Sequence, residues 1–264
     1  MVTEPLDDPL DDALARFRAQ DLDAAMADVH RKQGVVTPMF DVIAPRYDDF
    51  TRLFSFGMDA AWKRDLVRAV LAPLAESSRA LDVACGTGDI AFALAAARPA
   101  LWVTGVDPSR QMLTIAESRT APSDGRVDFE LGEMAALPAE SGSVDVLTAG
   151  YGFRNVPDLE AAVRECARVI RPGGTLGSLD FFRPSNPLWR ALFLGYLRVS
   201  GDIVGWLWHR TPAIYGYIAR SIDAFVSAGE FTEILERNGF RVVERRTRLL
   251  GGIALHIAVR EKAR

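Results

Sequence analysis

A short apolar run breaks into a glycine turn at Ala80-Leu-Asp-Val-Ala-Cys-Gly-Thr-Gly-Asp89, and a carboxylate, Asp107, follows 21 positions after Gly86. This spacing predicts a strand up to the turn, a helix beyond it, and a second strand, Trp102–Val106, that delivers Asp107 at its end. Gly86 and Gly88 carry no Cβ, so a ligand can approach the backbone closely. A carboxylate about 20 residues past such a turn is placed to bind the hydroxyl pair of a ribose. The pattern points to a nucleoside-containing ligand, with a plain strand–turn–helix as the alternative.

The turn alone does not choose the ligand. Gly86-x-Gly88-x-x-Ala91 also fits a dinucleotide fingerprint. Diphosphate binders, however, use the helix N-terminus as an anion site. Here Asp82 ends the strand and Asp89 opens the helix, and two carboxylates beside the turn suit a cation. S-adenosylmethionine, with its sulfonium and ammonium, matches that electrostatics.

The chain of 264 residues is 49% hydrophobic, enough for one domain with a sizeable core. Its formal charge of −4 gives no overall attraction to nucleic acid. Cys85 and Cys166 read as reduced thiols of a cytoplasmic protein. Cys85 reads as a small residue in a tight turn, since no base is marked beside it. His30, His209 and His256 are scattered, with no cluster that predicts a metal site. The start is acidic (Asp7, Asp8, Asp11, Asp12), unlike a secretory signal, and no run of about 18 uncharged apolar residues predicts a membrane span.

Residues 1–33 read as an acidic extension and 34–264 as the main domain. Residues 35–74 are helical, interrupted at Pro45 and at the turn Phe54–Gly57. Strands at Ala80–Val83, Trp102–Val106, Val127–Leu131, Val144–Ala149 and Thr175–Asp180 alternate with helices at Asp89–Ala97, Arg110–Arg119 and Leu159–Ile170, the last ended by Pro172-Gly-Gly174. Such alternation predicts a doubly wound, mostly parallel α/β sheet of Rossmann-like type, with ligands at the carboxyl ends of the strands. A helix at Glu230–Asn238 leads to a closing hairpin, Arg241–Thr247 and Ile253–Val259, which makes the last strand antiparallel. An insertion at about 184–228, rich in Trp and Tyr, is too long for a connection and predicts a helical lid.

Read in order, Leu81-Asp-Val-Ala-Cys-Gly-Thr-Gly-Asp89, Val106-Asp-Pro-Ser-Arg-Gln-Met-Leu113, Leu137-Pro138 and Arg168-Val-Ile-Arg-Pro-Gly-Gly174 resemble the motifs of class I S-adenosylmethionine-dependent methyltransferases. Tyr151-Gly-Phe-Arg-Asn-Val-Pro-Asp158 resembles a Phe-Gly-Leu-Arg-Asn-Val stretch of the UbiE family, the C-methyltransferases of ubiquinone and menaquinone biosynthesis. Tyr47-Asp48, Ser55-Phe-Gly57, Trp62-Lys-Arg64, Tyr217-Ile-Ala-Arg-Ser-Ile222, Asn238-Gly-Phe240 and Gly252-Ile-Ala-Leu-His256 are similar to the same family. The acceptor half departs from it. Residues 188–205 lack the family's Tyr-Asp…Tyr-Ser-Phe pattern, Glu133 stands for its Asp or Asn, and Ala224–Gly229 replaces its His-Pro-Asp.

The resemblance implies methyl transfer from S-adenosylmethionine to a quinol-like or phenolic small molecule, with C-methylation favoured. Expected around the cofactor are Asp82, Ala84, Cys85, Gly86, Thr87 and Gly88 of the turn, Asp107 with Pro108 and Met112, Glu133 with Met134 at the adenine, and Tyr151. Asp82 and Asp89 are expected about the methionine end, with Tyr47 closing over it. Arg154 and Asn155 are expected to carry acceptor chemistry: Arg154 stays protonated and cannot readily act as a base, so it would stabilise a phenolate. The plain alternative is that Arg154 braces a loop through a salt bridge. His256 is a candidate proton relay or a packed strand histidine. The lid is expected to wall the acceptor pocket, to touch a membrane surface with Arg190, Arg198 and Arg210 near headgroups, or to form a homodimer face. Other functional readings are a natural-product methyltransferase, a protein that binds S-adenosylmethionine without transferring its methyl, and, more distantly, a dinucleotide oxidoreductase.

Overall fold

The computed structural model describes residues 29–55, 57–74, 78–119, 125–209 and 213–262. Most of the acidic extension lies outside them. Among the described residues three helices come first, α1 (Val29–Ile43), α2 (Tyr47–Phe54) and α3 (Asp59–Leu71). Pro45 sits in a single 3-10 turn, Ala44–Arg46, between α1 and α2. The boundary expected at 33/34 falls inside α1. Lys32 Nζ donates to the carbonyls of Arg154 (3.0 Å) and Val156 (2.8 Å), so this helix is docked on the domain that follows.

The alternating region then runs β1 (Ser78–Val83), α4 (Asp89–Ala97), β2 (Leu101–Asp107), α5 (Arg110–Ser118), β3 (Val127–Leu131), β4 (Val144–Gly150), α6 (Leu159–Val169) and β5 (Ile170–Phe181). A helical pair, α7 (Pro187–His209) and α8 (Ala213–Ala224), precedes α9 (Ala228–Arg237), β6 (Phe240–Arg248) and β7 (Ile253–Arg260). The seven-stranded sheet has the order β3-β2-β1-β4-β5-β7-β6. It is parallel except for β7, which pairs antiparallel with both β5 and β6.

Local chemistry sets many of these boundaries. Ser109 caps α5 by accepting from the Met112 amide, and Asp158 caps α6 by accepting from Ala161. Ser227 and Glu230 close a capping box at α9. One expectation is corrected: Pro172-Gly-Gly174 does not separate α6 from the strand. β5 starts at Ile170, directly after the helix, and the irregularity is absorbed as a register shift against β4 between Val144 and Val146.

Both faces of the sheet are covered. Leu66 and Val70 of α3 and Ile90 and Leu94 of α4 pack on one side with Val146 and Leu179. On the other, Val163 and Cys166 of α6 and Phe231 and Leu235 of α9 pack with Val83, Leu147 and Phe182. The carboxyl ends of β1, β2 and β4 therefore meet at one rim, where two chain reversals and the start of α1 converge.

The lid is a helical hairpin. Phe193, Leu194 and Leu197 of α7 pack against Ala219 and Ile222 of α8. The aromatic residues of this segment divide between inside and outside. Phe193, Tyr217 and Phe225 are buried, whereas Tyr196 and Trp206 face solvent. The side chains of Trp208, Tyr215 and Arg210 lie outside the described residues. Arg190 is paired with Asp223 of α8 and turns towards its neighbour helix. Among the described residues no helix is long and apolar enough to cross a membrane.

Candidate active site

A cleft of about 400 Å³ opens at the rim, a size ordinary for a small-molecule site. Its floor is Ala84 and Gly86 after β1, Asp107 to Ser109 after β2, and Gly150 to Gly152 after β4. Met112, Glu133 and Met134 form one wall, and Gln33, Val36, Thr37 and Phe40 of α1 form the roof with Tyr47.

The backbone is bent unusually where the strands end. Ala84 (φ +52°) and Tyr151 (φ +60°) take left-handed conformations that cost a non-glycine residue on the order of 1 kcal/mol or more. The Tyr151 hydroxyl donates to Asp59 Oδ1 at 2.7 Å, and this buried bond secures the bend. A Cβ at Gly88 would stand 2.8 Å from Phe92 and 2.9 Å from Phe129, so the turn closes tightly only with glycine there.

Asp107 is 7% exposed and held from both sides. Its Oδ2 accepts from the Gly86 amide (2.8 Å) and its Oδ1 from the Ser109 amide (2.9 Å). Burial pushes its carboxyl up to about 6, against the opposing pull of those two amides. The carboxyl does not cap α5; Ser109 does.

Other turn residues expected around a ligand are employed elsewhere. Asp82 is buried below the turn, accepts from Thr148 Oγ1 at 2.7 Å, and does not line the cleft. Burial pushes it up to about 7. Asp89 faces the helix side, where Lys63 (3.1 Å) and Arg119 (2.9 Å) pair with it and lower its pKa against the cost of burial. Thr87 Oγ1 donates to Asp48 (2.8 Å). Cys85 packs towards Gly105, and burial pushes its thiol well up, so it is no nucleophile at neutral pH. Of the two carboxylates expected about the methionine end, Asp82 thus lies under the turn with Thr148 and Asp89 on the helix side with Lys63 and Arg119, and neither is among the residues that line the cleft.

The cleft itself is acidic through other residues. The carboxylates lining the cleft, among the described residues, are Asp107, Glu133 and Asp158, with no lysine, arginine or histidine. Such a lining suits a cation and offers nothing to a pyrophosphate. Met134 is 7% exposed, packs in the core and also forms part of the cleft wall.

Behind the cleft lies a second, mostly apolar chamber, walled by Met39, Ile43, Phe54, Phe181, Leu197 and Ile218. It shares Phe40, Tyr47 and Tyr151 with the cleft. The phenol of Tyr47 is pushed up by burial, with Lys63 and then Arg154 pulling it down, so it stays a neutral hydrogen-bond donor at neutral pH. Among the described lid aromatics, Tyr217 alone reaches this chamber; the remaining rings come from α1, α2, the turn after β4 and β5.

Arg154 borders the chamber and is 5% exposed. Its Nε lies 3.3 Å from Asp180 Oδ1, its Nη1 donates to Asn155 Oδ1 (2.8 Å) and Ser221 Oγ (3.1 Å), and it lies over the Phe181 ring. Asn155 joins this network and also lines the cleft: its Oδ1 accepts from Tyr217 Oη (3.0 Å), and its Nδ2 donates to the Tyr151 carbonyl (3.0 Å). Sequence reading missed Asp59 and Asp180, which no local pattern marks. Tyr217 and Ser221 belong to a segment already noted, Tyr217–Ile222, whose spacing of four puts both on one face of α8.

His256 is not in the site. It sits in β7, wholly buried between Phe182 and Phe231, with Nε2 3.1 Å from the Ala228 carbonyl. Burial lowers its pKa to about 4, so it is a neutral core residue.

A Rossmann-like sheet with β7 reversed, a glycine turn braced on the neighbouring strand's carboxylate, and an acidic cleft without a phosphate-binding cation define a class I S-adenosylmethionine-dependent methyltransferase. The ubiE/COQ5 methyltransferase family model matches residues 26–260, and the chain belongs to that family. It is 41% identical over 216 residues to the ubiquinone/menaquinone biosynthesis C-methyltransferase UbiE of Syntrophotalea carbinolica, covering 82% of this chain and 90% of that one. It is 32% identical to the demethylmenaquinone methyltransferase of Staphylococcus aureus, over 90% and 98% of the two chains. Geranyl diphosphate methyltransferase, solved in complex with SAM, shares the fold with a TM-score of 0.58 at 16% identity, covering 76% of this chain and 85% of that one.

Proposed function

We propose that this enzyme C-methylates a quinol whose ring enters where the cleft meets the apolar chamber, and the observation that carries the reading is the wall they share at Phe40, Tyr47 and Tyr151. The chamber, at about 40 Å³, is smaller than the ring, so the acceptor must widen it on entry. In the cleft, Asp107 accepts the two ribose hydroxyls, Glu133 meets the adenine amino group, and Met134 and Pro108 flank the ring. Gly86 and Ala84 leave the backbone accessible to the methionine end. S-adenosylmethionine supplies an electrophilic methyl group on its sulfonium.

The protein's part is to make a ring carbon nucleophilic and to hold it in line. Arg154 is a permanent cation fixed by Asp180 and Ser221, and it stabilises the phenolate left when a quinol hydroxyl gives its proton to water. Asn155 positions Arg154 and Tyr217 rather than touching the ring. Tyr47, a neutral donor at the shared wall, orients the acceptor oxygen. After the carbon accepts the methyl, its own proton leaves to water and the ring regains aromaticity. Alignment of the reacting atoms at about 3–3.5 Å supplies several kcal/mol without any acid–base pair.

The family relationship favours this over a natural-product acceptor or a protein without transfer activity. The test is product analysis with S-adenosylmethionine and a chemically reduced, short-chain demethylated quinol, beside a polyketide-like phenol. A ring-methylated quinone is expected. An O-methyl ether, preference for the phenol, or no product at all would sink the proposal.

A further inference from the structure

The face of α7 turned away from the chamber is apolar and uncovered. Leu188, Leu192, Tyr196, Val199, Ile203 and Trp206 follow at steps of three or four residues and are all exposed, so they make one stripe. It runs about 27 Å along the helix axis. Leu197, on the inner face of the same helix, lines the chamber.

The stripe continues past the start of α7. The Trp189 indole N–H donates to the Leu249 carbonyl at 2.8 Å, which holds the tip of the β6–β7 hairpin against the helix. At that tip Leu250 is 76% exposed. Leu249 (φ +48°) and Leu250 (φ +49°) both adopt the left-handed conformation that asparagine or glycine takes at little cost. Leucine is unfavourable there for the backbone and for its contact with water, and a contact outside the chain would offset both.

Beside the tip is an open cleft lined by Arg183, Arg245, Asn186, Ser227 and Trp189, with no acidic side chain among its described lining residues. Arg183 reaches Glu230 at 3.1 Å, and Arg245 donates to Thr232 Oγ1 at 3.4 Å. The stripe thus ends at a cationic, tryptophan-bearing cleft. Charge complementarity at that end selects an anionic surface, and the length of the stripe suits a helix lying flat in a lipid interface.

We propose that α7 and the Leu250 tip dock on an anionic bilayer, with Arg183 and Arg245 receiving a headgroup phosphate. This deepens the proposed function and rests on its quinol acceptor, taken to carry a lipid tail: one face of α7 meets the membrane while the other, through Leu197, walls the chamber beside the cleft. The arginines at the headgroups are then Arg183 and Arg245, not Arg190.

The test is co-sedimentation of the full chain with phosphatidylglycerol vesicles and with phosphatidylcholine vesicles. Wild type should bind the anionic vesicles at least tenfold more tightly. Leu192→Glu combined with Ile203→Glu should abolish binding, and Leu250→Asn and Arg245→Gln should each weaken it several-fold. All should keep wild-type affinity for S-adenosylhomocysteine and wild-type turnover of a water-soluble quinol, which also shows that they fold. Wild type that ignores anionic vesicles, or a double variant that still binds them, overturns the docking proposal. So does a wild-type dimer in solution that the double variant dissociates, because the stripe is then covered by a second copy. Vesicle binding without methylation of any quinol would leave the docking face standing and remove the quinol reading instead.

Discussion

The amide of Gly86 donates to Asp107 Oδ2 at 2.8 Å, so the turn that ends one strand aims the carboxylate that ends the next. The Ser109 amide holds the other oxygen at 2.9 Å. Each oxygen keeps acceptor capacity on the cleft side. The pair is oriented before any ligand arrives, which spares the ordering cost that a mobile carboxylate would incur on binding.

Replacing Asp107 with Ala should weaken S-adenosylhomocysteine binding about 10–100-fold, corresponding to the ~1.5–3 kcal/mol of hydrogen bonds to a charged group. Titration calorimetry reads this directly. Because burial holds the carboxyl up to about 6, wild-type affinity should fall as pH drops through that value, and Asp107→Asn should lack the dependence. An Asp107→Ala protein with unchanged affinity would remove the ribose contact from the site.

Arg154 borders the acceptor chamber and does not line the cofactor cleft. Arg154→Ala should cost about 3–5 kcal/mol of stability, since Asp180 is left buried without its partner. Arg154→Lys keeps the charge but not the fork that reaches Asp180, Asn155 and Ser221 together. It should recover much of the stability while kcat stays down at least about 100-fold, the scale of losing one preorganised electrostatic donor. S-adenosylhomocysteine affinity should stay within about threefold, as expected for a group outside its contacts. Denaturant melts and steady-state kinetics separate these effects; a lysine variant with normal kcat would reduce Arg154 to a loop brace.

His256→Gln should leave kcat unchanged, which checks its place in the core rather than in the reaction. Its folded pKa, about 4, lies below its unfolded value, so the unfolded chain binds the extra proton first. The wild type should therefore lose stability as pH falls from 6.5 towards 4, by about 1.4 kcal/mol per unit. Thermal melts of wild type and variant should diverge in slope over that interval, with the variant flatter.

Elements set by local chemistry were legible in the sequence. α4 (Asp89–Ala97) and β3 (Val127–Leu131) have their expected bounds, because apolar period and turn residues are local signals. Pro172-Gly-Gly174 misled for the same reason. It is a turn signal, but the pairing of β5 with β4 carries the strand through it. Tertiary pairing outweighed a local preference worth about 1 kcal/mol per residue.

The sequence by itself determined the sheet, the glycine turn with its carboxylate, and the presence of Arg154 and Asn155 beside them, since these depend on neighbours in the chain. Only the tertiary structure decided what each charged group does. Asp89 is claimed by Lys63 and Arg119, Arg154 by Asp180 and Ser221, and His256 by Phe182 and Phe231. It also decided that one face of α7 is core and the other surface. Coulomb energy and desolvation depend on separation and burial in space, and residues far apart in the chain set both.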